Sequence, residues 1–196
     1  MSTTQPIRSK RLLEQFKEYY QEENPNIRNY TLIILGLNTA LRISDILSLR
    51  WGDIYDEKKG KLKEHIEVFE KKTGKSKIIA LNTSTCNALY EYKNYVFSHV
   101  PYNAKQYLFL SQKGDNIPIC RSQAYRIIKQ AANATGLYEH ISCHSLRKTF
   151  GYHAWKQGIP PALLMDIYNH SSYKITKRYL CIEQDERDEV YKNISL

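Results

Sequence analysis

Four residues suggest chemistry before any element of structure is assigned. Arg147 follows His144 by three positions, and Tyr179 follows His170 by nine. On a helix, a spacing of three sets His144 and Arg147 on one face. That face offers a titratable imidazole beside a permanent guanidinium. Tyr179 comes directly after Lys177 and Arg178, an odd place for a core tyrosine. Together these are the parts for moving a phosphoryl group onto a tyrosine without metal. Such chemistry requires the rest of the chain to bring distant segments to one point.

The elements that must do so are mainly helical. At 196 residues the chain is long enough for one well-buried core and short for two. Apolar residues recur at three and four through 9–24, where Ser9 can cap, and again through 27–38, after the Asn24-Pro25-Asn26 break. A third short helix is expected over 43–50, ended by Trp51-Gly52-Asp53. Alternation over 65–70, a turn at Lys72-Thr73-Gly74-Lys75 and a return over 76–81 predict a β-hairpin. A helix over 83–98, a short strand at 107–110 and helices over 122–135, 145–157, 161–168 and 172–181 complete the expectation. The fold class is α+β, mainly α-helical with a small antiparallel β-sheet. Residues 183–196 form a C-terminal tail with an apolar edge at Val190, Tyr191, Ile194 and Leu196.

Composition narrows the function classes. The formal charge is +9. From Arg121 to Arg178 nine Lys or Arg oppose only Glu139 and Asp166, whereas Glu183 to Tyr191 carries five acids against Arg187. A basic body with an acidic tail suits a polyanion such as nucleic acid. Cys86, Cys120, Cys143 and Cys181 are scattered without a C-x-x-C pair, which reads as reduced thiols. His140, Cys143 and His144 lack a second cluster at zinc-finger spacing, so no metal is expected. No apolar run approaches a membrane span and the N-terminus has no secretory core, so a cytoplasmic location is the default.

Four segments carry a more specific signal: ALRISDILSLRW, KKTGKSKIIAL, HSLRKTF and NHSSYKITKRYL, in that order. They resemble the boxes of the tyrosine recombinase (phage integrase) family's catalytic domain, and the resemblance spans about residues 8–182. It implies the DNA breaking-rejoining fold and an enzyme that cuts and rejoins double-stranded DNA through a 3′-phosphotyrosine, with no cofactor. By this resemblance Tyr179 is the nucleophile, while Arg42 and Arg147 hold the phosphate oxygens. Lys72, chosen over Lys71, Lys75 and Lys77 because it precedes Thr73-Gly74, is the general acid. His144 assists proton transfer and His170 bonds the phosphate. Asp45, three residues after Arg42, is a candidate to fix that arginine's rotamer.

Two departures stand out. Tyr168-Asn169-His170 replaces the family's Leu-Gly-His; Asn is the next-best residue for the left-handed turn, so His170 should still be presented. Tyr168 is also a competing phenol. Family members commonly carry a separate N-terminal core-binding domain; only a short lead precedes the first helix here, so none is expected in this chain, which is either an excised fragment or a member that works with half a clamp. The resemblance further implies a homotetramer in the synaptic complex, a monomer or weak oligomer without DNA, and nucleoid association. The tail could exchange between subunits, dock on its own domain or fray. A non-catalytic DNA-binding regulator and a type IB topoisomerase remain as alternatives.

Overall fold

The computed structural model describes residues 4–70 and 74–195. In chain order the elements are α1 (Lys10–Glu18), α2 (Ile27–Thr39), α3 (Ile43–Ile46), α4 (Trp51–Ile54), β1 (Tyr55–Asp56), β2 (Lys61–Leu62), β3 (His65–Phe69), β4 (Ser76–Ala80), α5 (Thr83–Val96), α6 (Arg121–Ala134), α7 (Cys143–Lys156), α8 (Pro161–Tyr168), α9 (Tyr173–Leu180) and α10 (Glu183–Asn193). Among the described residues no helix is long and apolar enough to cross a membrane.

Several helices begin where a side-chain oxygen can accept an otherwise unpaired backbone N–H. Ser9, Asn26, Asn82 and Ser172 each accept from the residue three positions on. Ser142 and Ser145 cap α7 reciprocally. α2 is the most buried helix, with Leu32, Ile33 and Leu35 fully enclosed between α5 and α7.

The antiparallel structure is two separate ribbons rather than one sheet. β1 pairs with β2, a short hairpin the sequence pattern did not announce. β3 pairs with β4 from His65↔Ala80 to Phe69↔Ser76, with Ile66 and Val68 turned inward as the alternation predicts. The strand expected at 107–110 is instead two isolated bridges, Arg50↔Tyr107 and Leu110↔Pro118. The first helix stops at Glu18, because Tyr19 and Tyr20 are drawn into a buried turn. The helix expected over 43–50 stops at Ile46, and Trp51-Gly52-Asp53 starts α4 instead of ending a helix. The Asp53 carboxylate accepts from the Arg50 N–H at 2.7 Å and so closes that first turn.

A second cluster of apolar side chains sits beside the main core. Ala40, Tyr152, Leu164, Tyr168, Leu180 and Ile182 form it, with Tyr179 partly buried against it. It packs α7, α8 and α9 together, and Gly151 permits the close approach. A Cβ at Gly151 would stand 2.5 Å from both the Tyr168 hydroxyl and Leu180 Cδ2. Gly151→Ala is therefore expected to destabilise the fold by about 1–3 kcal/mol, the usual range for overpacking. Urea unfolding measures this, and an unchanged midpoint would contradict the packing.

Candidate active site

Arg147 lies on α7 and is only 3% exposed. Its Nη1 donates to the Ala40 carbonyl at the end of α2. Ala40 adopts a left-handed conformation (φ 52°), which directs that carbonyl toward the guanidinium. The Tyr168 ring lies 4.6 Å from Arg147 Cζ, and the Tyr168 hydroxyl donates to the Arg147 carbonyl at 2.7 Å. The charge of Arg147 also bears on the Tyr179 phenol.

Arg42 reaches the site from the residue before α3. Its Nη1 pairs with Glu70 Oε1 at 2.6 Å, and Glu70 is itself buried at the end of β3. The ion pair expected with Asp45 is thus taken by Glu70. Asp45 is fully buried inside the short helix and accepts from the Ser44 hydroxyl at 3.3 Å.

α8 ends as its sequence suggests. Asn169 is left-handed (φ 54°, ψ 48°), and the His170 N–H donates to the Met165 carbonyl at 2.9 Å. His170 Nδ1 is 3.1 Å from Thr176 Oγ1 on α9. The His170 and Tyr179 rings meet edge-on, with centroids 5.3 Å apart. Tyr168 and Tyr179 are equally close, at 5.3 Å.

The β3–β4 ribbon docks on the same place. Lys75 Nζ donates to Asn169 Oδ1 at 3.2 Å, and Lys77 Nζ donates to the Ile167 carbonyl. Lys75 and Lys77, the rivals weighed against Lys72, thus reach this site, and Glu70 is the residue here that motif spacing left unassigned. Lys72, the expected general acid, lies outside the described residues.

The electrostatics are those of crowded cations. Burial pushes the Tyr179 phenol up from 10.0, while Arg147 and then the charge of Arg42 pull it back; the net shift is upward. Burial lowers His170 below 6.5, with Arg147 and Arg42 adding to the shift. His144 is exposed as a whole residue, yet desolvation of its ring lowers it too, followed by Arg121, Lys148, Arg147 and Arg42. Lys77 is lowered first by burial and then by Arg147. The structure thus gathers Arg42, Arg147, His170 and Tyr179, with His144 in the same field. Tyr168 is set apart: it is fully buried, its hydroxyl is committed to a backbone carbonyl, and burial drives its phenol far up.

This arrangement has the fold of a tyrosine recombinase catalytic domain. It aligns with a XerA recombinase at a TM-score of 0.74 and 21% identity, over 97% of this chain and 66% of that one. The XerH site-specific recombinase bound to palindromic difH substrate aligns at 0.75 and 20%, over 95% and 51%. The profile of the phage integrase family matches residues 8–186, and the chain belongs to that family, whose enzymes are the tyrosine-type recombinases. It is 42% identical over 192 residues to the probable integrase/recombinase YoeC of Bacillus subtilis (strain 168), covering 98% of this chain and 97% of that one. It is 29% identical to the tyrosine recombinase XerC of Pelobacter propionicus, covering 87% of this chain but about half (53%) of the relative.

Acid stability checks the imidazole environments. Both His144 and His170 are depressed below 6.5 in the fold, so the unfolded chain binds more protons once the pH falls below that value. Their contribution to stability is present above pH 6.5 and is lost as pH falls through the depressed values. Thermal melts between about pH 7.5 and 5 should show a falling midpoint, with a shallower fall when both are replaced by Gln. Identical slopes would show that neither imidazole is depressed.

Proposed function

We propose that this chain is a site-specific recombinase or integrase that cuts and rejoins double-stranded DNA through a 3′-phosphotyrosine at Tyr179. The observation that supports it most directly is the setting of Tyr179, whose ring meets His170 edge-on at 5.3 Å and whose phenol lies in the field of Arg147 and Arg42. A buried phenol is a weak nucleophile at neutral pH because its proton is held tightly. The guanidiniums oppose that effect and also bind where charge grows on the nonbridging oxygens. Arg42 has five N–H donors, so its ion pair with Glu70 leaves an edge for phosphate.

In the reaction, the Tyr179 oxygen bonds to phosphorus as the bond to the 5′ oxygen breaks. The phenol proton passes to His144, which is held neutral and able to accept it. Lys72 donates the proton that the departing 5′ oxygen needs. His170, neutral and oriented by Thr176, donates to the phosphate. Rejoining reverses these steps with a partner strand's 5′ hydroxyl. The phosphotyrosine conserves the energy of the broken ester, so no nucleotide is consumed and no cofactor or metal enters.

The XerH relative in complex with its difH substrate favours DNA as partner, as does the basic segment from Arg121 to Arg178. Residues 1–182 act as the catalytic unit and 183–196 as a subunit-exchange tail in a synaptic homotetramer, with a monomer or weak oligomer before DNA binds. The polar fastening of the tail fits that role. α10 has no buried residue and is held by Lys177–Glu186 at 3.0 Å, Arg8–Asp185 at 3.5 Å and Lys156–Glu189. Such partly solvated ion pairs are weaker than buried ones and are screened by salt. Action on chromosomal DNA places the protein in the cytoplasm, at the nucleoid.

A nicked suicide duplex tests the reading. Wild type should accumulate a covalent adduct mapping to Tyr179, including in EDTA. Tyr179→Phe should keep DNA affinity nearly intact and form none. Arg147→Lys should slow cleavage on the order of 10²-fold or more, because a point charge replaces a two-pronged donor. A wild type that binds DNA but never traps an adduct would instead be a DNA-binding regulator.

A further inference from the structure

Lys148 has no part in the reaction above, yet it is among the largest fully buried side chains, only 2% exposed. It lies one residue beyond Arg147 on α7, which turns it to a different face of the helix. Its Nζ donates to the Thr4 carbonyl at 2.6 Å and to Cys181 Sγ at 3.5 Å. The same nitrogen stands 5.4 Å from the centre of the Tyr179 ring. Burying a lysine amine is costly unless its donors find partners. Here the partners come from the N-terminal segment, from the residue after α9 and from the tyrosine ring.

That N-terminal segment is itself tied down. The Gln5 N–H donates to the His140 carbonyl at 3.1 Å, and the Ile7 N–H donates to Thr149 Oγ1 at 2.8 Å. The Ile7 carbonyl lies 3.0 Å from His153 Nε2. Arg8 Nη2 then donates to the Cys181 carbonyl at 2.9 Å. Cys181 is left-handed (φ 61°) and is the hinge between α9 and α10. Lys148 and Arg8 therefore converge, from two sides, on the residue two positions beyond Tyr179.

We infer that Lys148 is a positioning residue for Tyr179, holding its ring and the Cys181 hinge against the N-terminal segment. This inference rests on the reading of Tyr179 as nucleophile. α9 has eight residues, too few to be rigid by itself, so its placement depends on tertiary ties. α10 is fastened by ion pairs and by the Tyr173–Glu186 hydrogen bond, and it joins α9 through Cys181 and the buried Ile182. Without a clamp at the hinge, movement of α10 would be transmitted to the ring two residues upstream. With Lys148 in place the phenol stays against Arg147 while the tail changes partners. Lys148 is enclosed by protein, so a direct DNA contact does not explain it.

The test uses Lys148→Met, which keeps the aliphatic length and removes the donors, together with Arg8→Gln, which loosens the other side of the hinge. Three quantities are measured in the full chain: DNA affinity, the single-turnover rate of adduct formation on a nicked duplex at saturating DNA, and the ¹⁹F resonance of 3-fluorotyrosine at position 179. Lys148→Met is expected to slow adduct formation roughly 10-fold, the scale of a desolvated cation–ring contact, with affinity unchanged and a shifted, broadened resonance. Arg8→Gln should slow it less and in the same direction. A purely structural role would lower the melting temperature while leaving the saturated rate and the resonance of the folded protein unchanged, and that result overturns the inference. If Lys148→Met does not fold, an unaltered rate and resonance in Arg8→Gln overturn it. Absence of any wild-type adduct would instead sink the phosphotyrosine reading, and the resonance would still decide whether Lys148 places the ring.

Discussion

The site depends on one buried guanidinium. Arg147 is almost wholly removed from water, and a cation so placed must be answered by oriented partners or the fold is strongly destabilised. Its partners come from three directions: the Ala40 carbonyl at the end of α2, the Tyr168 ring at the end of α8 and the Tyr179 side chain on α9. The group proposed to grip phosphate therefore also fixes the elements around it. The left-handed backbone at Ala40, unusual for a residue with a Cβ, fits this view, since it aims the carbonyl at Arg147. Donors held in place before substrate arrives need little rearrangement during reaction, which is the basis of electrostatic preorganisation.

Gathering cations has consequences for their neighbours. Arg147 and Arg42 add to desolvation in depressing His170, His144 and Lys77, so the field proposed to attract a phosphodiester also disfavours protonation of the imidazoles. Glu70 answers part of this charge from the ribbon side through Arg42. The acids of α10 pair elsewhere, with Lys177, Lys156 and Arg8, and so leave the positive field around the phenol intact. The same contacts link the N-terminal segment, the tyrosine helix and the tail into one connected unit on the flank of α7.

Much of this was legible in the sequence where the determinant is local. Caps at Ser9, Asn26, Asn82 and Ser172 mark helix starts because they satisfy N–H groups only three residues away. The turn at Asn169 follows from the tolerance of Asn for the left-handed region. Determinants that lie far off in sequence were not legible. α1 ends early because Tyr20 reaches the Ile127 carbonyl, more than a hundred residues on. Residues 107–110 pair singly with Arg50 and Pro118, so no ladder develops from a strand-like pattern. The spacing of three suggested Asp45 for Arg42, but so short a helix turns Asp45 into the core and leaves the pairing to Glu70, whose place is set by β3. Nothing in the sequence singles out Lys148, because its partners, Thr4 and Cys181, lie toward the two ends of the chain.

The choice between two tyrosines shows how environment, rather than residue type, assigns a role. Tyr168 and Tyr179 lie ring to ring, and both touch Arg147. Tyr168 presents its face to the guanidinium and gives its hydroxyl proton to the Arg147 backbone carbonyl, within a shell that excludes water. Burial is the main reason its phenol is pushed so far up, and ionising it would also break that bond and leave an anion facing a carbonyl. Tyr179 feels the charges of Arg147 and Arg42, so loss of its proton places new negative charge within the field of two cations. Of the two neighbouring phenols, Tyr179 is the one whose anion the fold disfavours less, and it is also the one whose helix is anchored from behind by a buried lysine.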